Sequence, residues 1–197
     1  IYQCRAMRKL DTKPIPQELL VKLVDAANQA PSGSNMQSGR WMIVQDPDVK
    51  AELAKLNRAG VNDYIGPMIE NPGSLPHQDQ EKRTRMMKSV LWQMEHLHEI
   101  PALIIACMDF GVKADAAMMA RGGGSIWPGI QNLLLAARAL GLGAALGRAL
   151  RTGGDVLGVR RLFRQKGLRS PAADRDAGRP TSPIARSAQA KRSAKRA

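Results

Sequence analysis

Aromatic side chains are scarce in this chain: 7 of its 197 residues are Phe, Trp or Tyr. That excludes the stacking platforms on which single-stranded nucleic acids are read. Cysteine is scarcer still, with only Cys4 and Cys107. Two thiols 103 positions apart make neither a disulfide framework nor a metal cluster, and they point to a reducing, cytoplasmic setting. The histidines are His77, His96 and His98. None has a partner at the i, i+3 or i, i+4 spacing that a zinc pair on a helix needs, so a solvated helix edge is expected for His96 and His98. No apolar run approaches the ~18 residues of a membrane span. The opening IYQCRAMRKL has no apolar stretch of the kind a secretory leader carries, and none is expected.

Acidic residues are also in deficit, and the deficit is local. The formal net charge is +13. Residues 1–147 hold 16 Lys and Arg against 14 Asp and Glu, whereas residues 148–197 hold 14 against 3. The body of the chain is therefore nearly neutral, and the basic excess belongs to its last 50 residues. This divides the chain into a domain at 1–147 and a basic tail at 148–197.

What remains is an ordinary globular composition, 44% hydrophobic and 24% charged. Ile15, Leu19, Leu20, Leu23, Val24 and Ala27 recur at helical spacing and predict a helix over 15–29, opened by Pro14 and Pro16 and closed by Pro31. A Ser/Gly/Asn/Gln loop follows, then a short buried strand in RWMIVQD. A shorter helix is expected over 48–58. Gly60, Gly66, Pro67, Pro72, Gly73 and Pro76 predict loop over 60–80. Residues 81–98 read as an amphipathic helix on Met86, Val90, Met94 and Leu97. ALIIACMDF is a central strand. Residues 126–140 form the clearest helix, with Gly141 as its C-cap, and GLGAAL is expected to turn into a further strand. This order describes an α/β or α+β layered domain.

Few segments offer chemistry. Gly141 to Gly147 superficially echoes a dinucleotide fingerprint, but Leu146 stands where the third glycine belongs, and a helix precedes the segment instead of a strand. Cys107 lies inside an apolar run and reads as a small buried hydrophobe rather than a nucleophile. Two segments are more telling. Arg5 and Arg8 lie three apart before the first helix, where two guanidinium forks can clamp a phosphate; alone they would pass for a solvated basic start. Ala30 to Gln37 packs hydroxyls, amides and backbone donors into one turn, able to bind the edge of a flat polar heterocycle or to serve as a plain connector.

Taken together, these segments resemble the nitroreductase family of flavin enzymes. The family opens on R-S-x-R, then P-V-P and a helix; this chain has Arg5-Ala6-Met7-Arg8, then Pro14-Ile15-Pro16. The family continues with A-P-S-x-x-N-x-Q before a strand, matched by Ala30-Pro31-Ser32-Gly33-Ser34-Asn35-Met36-Gln37. A late family helix, S-I-x-x-x-x-Q-N-L-x-L-A-A-x-x-L-G-L-G, is matched from Ser125-Ile126 through Gln131-Asn132-Leu133 to Leu142-Gly143.

The resemblance implies an α+β fold, a three-layer α/β/α sandwich with a mostly antiparallel sheet and helices on both faces. It implies a homodimer with FMN at the interface. Carried over by motif, Arg5 and Arg8 would hold the FMN phosphate and ribityl end. Ala6 replaces the family serine and could offer only backbone. Pro31, Ser32, Gly33, Asn35 and Gln37 would approach the flavin of the partner subunit, and Leu142 and Gly143 would bring backbone to the ring. The implied activity is two half-reactions: hydride from NADH or NADPH to flavin N5, then to a nitroaromatic, a quinone or a similar small-molecule acceptor. No catalytic side chain is required, and the sequence offers no acid–base dyad. Trp92 and Met94 are the apolar candidates for the acceptor pocket. A dehalogenase-like or flavin-cannibalising branch of the same fold is the alternative, and a non-enzymatic basic protein that binds nucleic acid through its tail is a third.

The resemblance ends near Gly147. In residues 148–197, Leu, Ile, Val and Phe number 8 of 50, and Glu, Asn, His, Met, Tyr, Trp and Cys are missing. Such a composition predicts disorder beyond about residue 165. Enrichment in Arg, Ala, Gly and Pro also fits a shift of reading frame near codon 147 in a GC-rich gene. On that reading the family's C-terminal wrap is lost and activity is impaired.

Overall fold

The computed structural model describes residues 1–70, 79–109 and 123–147. The tail at 148–197, with its expected disorder and frame shift, lies outside the described residues.

Two antiparallel strands form the centre. Strand β1 is Gly39–Val44 and β2 is Leu103–Met108, paired so that Trp41 faces Ala106 and Ile43 faces Ile104. Successive side chains of a strand point to opposite faces. Trp41, Ile43 and Ile104 therefore share one face, and Met42, Val44, Leu103 and Ile105 share the other. Both sets are apolar, so both faces must be covered.

The first face is covered by α1 (Gln17–Asn28) and a late helix separated from it by about 100 residues. Leu20, Leu23 and Ala27 of α1 meet Leu133 and Ala137, and Trp41, Ile43 and Ile104 pack onto that cluster. The second face is covered by α2 (Pro47–Glu70), whose Val49 and Leu53 pack with Val44 over Met42, Leu103 and Ile105. The result is helix, sheet, helix, the α+β three-layer sandwich expected from the sequence.

The third helix, α3 (Gln80–Glu95), packs against α2. Asp79 caps it, its side chain accepting from the Lys82 N–H at 3.0 Å. The fourth, α4 (Trp127–Ala139), is the late helix of the first face. It ends as the sequence predicts. Gly141 sits at φ +77°, the Gly141 N–H donates to the Arg138 carbonyl, and the Leu142 N–H donates to the Ala137 carbonyl at 2.8 Å. These are the paired bonds of a Schellman cap, which needs a left-handed residue that glycine adopts freely.

Three expectations are corrected. Helix α2 does not stop at 58 but runs through Gly60, Gly66 and Pro67 to Glu70. Its buried positions include Lys50 and Ile65 besides Val49, Leu53, Asn57 and Gly60, so midway along the face a polar residue and a small one stand where larger apolar ones would have signalled it. On α3 the buried methionines are Met87 and Met94, while Met86 points outward at 44% exposure. Residues 142–147 form no strand: beyond the Leu142 bond that closes α4, their backbone meets the N-terminal segment, where the Met7 N–H donates to the Ala144 carbonyl at 2.9 Å.

Candidate functional site

The N-terminal segment has no helix or strand of its own and is fixed by what it touches. Gly143 is the point of closest approach. A Cβ there would lie 2.7 Å from Leu10 Cδ2, so any larger residue would have to displace the tip of the Leu10 side chain, while Met7 Cβ at 3.6 Å is in ordinary contact. With the Met7–Ala144 bond, this contact lays the segment along the end of α4.

An open groove of about 340 Å³ lies between them. Arg5, Ala6 and Arg8 line it from the N-terminal segment, Gln131 and Arg138 from α4, and Leu142 from the turn beyond. Gln131 and Arg138 lie seven residues apart, which puts them on one face of the helix, turned away from Leu133 and Ala137 in the core. Alanines 144 and 145 and Leu146 add an apolar wall. No carboxylate stands among the described lining residues, and neither Arg5 nor Arg8 has an ion-pair partner among the described residues. Arg138 donates from Nη2 to Gln3 Oε1 at 3.2 Å. The groove is thus positive at one side and apolar along another, and its volume is within the range of small-molecule and cofactor sites.

The second predicted segment is elsewhere. Pro31, Ser32, Gly33, Asn35 and Gln37 do not line the groove. Their loop includes a 3-10 turn at Gly33–Asn35, and three non-glycine residues hold positive φ: Ser34 at 50°, Asn35 at 53° and Gln37 at 48°. Conformations of this kind persist only where the surroundings over-determine them. Here Ser32 Oγ accepts from the Gln37 N–H at 3.0 Å, and Gln37 Nε2 donates to Asn35 Oδ1 at 3.1 Å. Ser125 Oγ, just before α4, accepts from the Gly33 N–H at 3.1 Å. Arg40 closes the other end, donating from Nη1 to the Gln37 and Gly39 carbonyls at 2.9 Å each and pairing with Asp109 at 3.6 Å. The loop is exposed, rigidly braced and open to a neighbour.

The other candidates lie outside this groove. Met94 is buried at 8% exposure. Trp92 stacks on His96, with centroids 4.1 Å apart and planes 9° from parallel, and lies outside the groove. His96 is therefore not a solvated edge: its ring is half-buried, with Nδ1 2.8 Å from the Trp92 carbonyl. Burial pushes the Cys107 thiol up, away from the reactive thiolate. Sequence reasoning missed Gln131 and Arg138 as groove residues. Their seven-residue spacing puts them on one face of the helix, but nothing local says which face meets the N-terminal segment.

Layer order, strand register and the arginine-lined groove define the class: a layered α+β protein that joins an N-terminal basic segment to the C-cap of its last described helix. The chain belongs to the nitroreductase family, whose model matches residues 1–162. An iodotyrosine deiodinase of Thermotoga neapolitana is 30% identical over 141 residues, 71% of this chain and 67% of that protein. One from Nematostella vectensis is 29% identical over 52 residues, 26% of this chain, and the chain spans only 20% of that protein's length. Among solved structures, an iodotyrosine deiodinase bound to FMN and 3-iodo-L-tyrosine superposes with a TM-score of 0.58 at 24% identity, covering 83% of this chain and 78% of that one.

Proposed function

We propose that the chain is an FMN-dependent oxidoreductase that takes hydride from NADH or NADPH and delivers it to a nitroaromatic, a quinone or a similar small acceptor. The observation that carries this reading is the groove, where guanidinium groups meet an apolar wall with no carboxylate among the described lining residues. That donor set suits a ligand with a phosphate at one end and a flat, largely apolar body. FMN, when bound, supplies reversible two-electron hydride chemistry, which permits two half-reactions at one site. The protein's part is to bind, orient and exclude. Arg5 and Arg8 hold the phosphate and ribityl end, Ala6 contributes backbone, and Leu142 and Gly143 bring backbone beside the ring. Pro31, Ser32, Gly33, Asn35 and Gln37, braced but outside the groove of their own chain, serve the flavin of a second copy in a homodimer. The two free cysteines and their spacing support a cytoplasmic site of action.

A second reading has its own support. The curated relatives are named iodotyrosine deiodinases, and one aligns over most of the chain. In that reading the acceptor is a halogenated phenol, which takes two electrons and a proton and releases halide.

Purified protein tests both. Visible absorption in the flavin bands, with FMN released on denaturation, is expected. NAD(P)H oxidation is then followed with nitroaromatics, quinones and halophenols in parallel, and halide release marks the second reading. A colourless protein that takes up no added FMN would end both.

A further inference from the structure

The family motif assigns Arg5 and Arg8 to the anion end and leaves the position of Arg138 open. The structure does not. Arg138 lines the same groove, in the last turn of α4, and its Nη2 bond to Gln3 ties it to the segment that carries the other two arginines. We infer that Arg138 is a third anion-binding cation of this groove, and that the three together make the site select the phosphorylated flavin over riboflavin. This rests on the reading given under Proposed function.

Two features support it. A basic residue in a helix's last turn is favourable in itself, because the carbonyl ends there carry partial negative charge. That accounts for a cation at position 138 but not for its convergence with Arg5 and Arg8. Like charges gathered in one groove repel one another, and no carboxylate among the described lining residues offsets them. Gln3, the hydrogen-bond partner of Arg138 among the described residues, is neutral and orients the guanidinium without neutralising it. A dianionic phosphate supplies the missing charge and accepts bidentate bonds from planar forks. Riboflavin has the same ring and ribityl chain without that charge, so it leaves all three guanidiniums uncompensated.

The test measures flavin affinity by fluorescence quenching on the full chain after removal of bound flavin, for wild type, Arg138→Gln and Arg138→Lys. For Arg138→Gln, FMN affinity is expected to fall about ten- to a hundred-fold, the range of one charge-assisted bond, with riboflavin affinity unchanged within about twofold. Arg138→Lys keeps the charge without the fork and should fall between. The dependence of FMN affinity on salt should also weaken in Arg138→Gln, because screening then acts on one cation fewer. Equal loss of FMN and riboflavin would mean that Arg138 acts through packing and would overturn the inference. So would FMN affinity that does not change. Both leave the cofactor reading standing; a wild type that binds neither flavin overturns the cofactor reading itself and this inference with it.

Discussion

Arg5 and Arg8 reach the groove from a segment that one backbone bond from Met7 to Ala144 and the packing of Leu10 on Gly143 hold against the end of α4. Their charges have no ion-pair partner among the described residues, which leaves their donor forks available. Replacing both by alanine is expected to lower FMN affinity by at least about tenfold for each charge-assisted bond removed. Equilibrium dialysis of the double variant against FMN checks this, and unchanged retention would remove the phosphate assignment. Cys107 gives a different residue-level test. Burial opposes its thiolate, so the folded chain holds that proton to higher pH than the unfolded chain does. Its stabilising contribution is thus complete below the ordinary thiol value of 9.0 and is lost as pH rises through the higher folded value. At pH 8, alkylation of Cys107 is expected to be about tenfold or more slower in the folded protein than in denaturant, as read by mass spectrometry of the alkylated peptide.

At the scale of elements, α1, β1 and α4 are held together by contacts with little slack. Trp41 Nε1 donates to Asn28 Oδ1 at 2.9 Å, and Asn132 Nδ2 donates to the Ala26 carbonyl at 3.3 Å. Gly129 lets α4 come this close: a Cβ there would stand 2.9 Å from Trp41 Cζ2 and 3.0 Å from the Ala27 carbonyl oxygen. The indole is anchored by Asn28 and the carbonyl is backbone, so neither can give way easily. Alanine gains about 1 kcal/mol in helix propensity over glycine. Overpacking here is expected to outweigh that gain, for a net loss of about 1–2 kcal/mol in urea unfolding; a more stable Gly129→Ala would refute the close approach. The same elements show what was legible in the sequence. Helices α1 and α4 were readable from apolar residues at helical spacing, and strands β1 and β2 from short continuous apolar runs. The far half of α2 was not, because Asn57 and Gly60 occupy its buried face and Pro67 reads as a stop. Arg5, Ala6, Arg8 and Leu142 were legible as a group through motif and do share a groove. Arg138 was not, because which helix face turns toward the N-terminal segment is decided by packing that no local pattern records.

For the whole molecule, the placement of the two motif segments matters most. One chain lays its groove along α4 from Gln131 to Arg138 and beyond, and holds its left-handed loop near the start of α4, where Ser125 accepts from the Gly33 N–H. The loop lines no part of that groove in its own chain, and we propose that a second copy brings it across. The loop is built for such a role: Ser125 and Arg40 brace it at both ends, and Asn35 and Met36 remain exposed on it. The proposed homodimer has two shared sites, each made of one chain's groove and the other chain's loop. Complementation tests this directly. An Arg5→Ala, Arg8→Ala chain and an Asn35→Ala chain should each bind FMN weakly as pure homodimers. When the two are unfolded together and refolded, half of the dimers are expected to be mixed by random pairing. Each mixed dimer has one site that carries both defects and one that carries neither. Up to about a quarter of all sites should then regain wild-type FMN affinity, visible as a tight phase in a fluorescence titration. Sedimentation showing a monomer that still binds FMN tightly, or refolded mixtures with no tight phase, would mean that groove and loop do not meet across an interface.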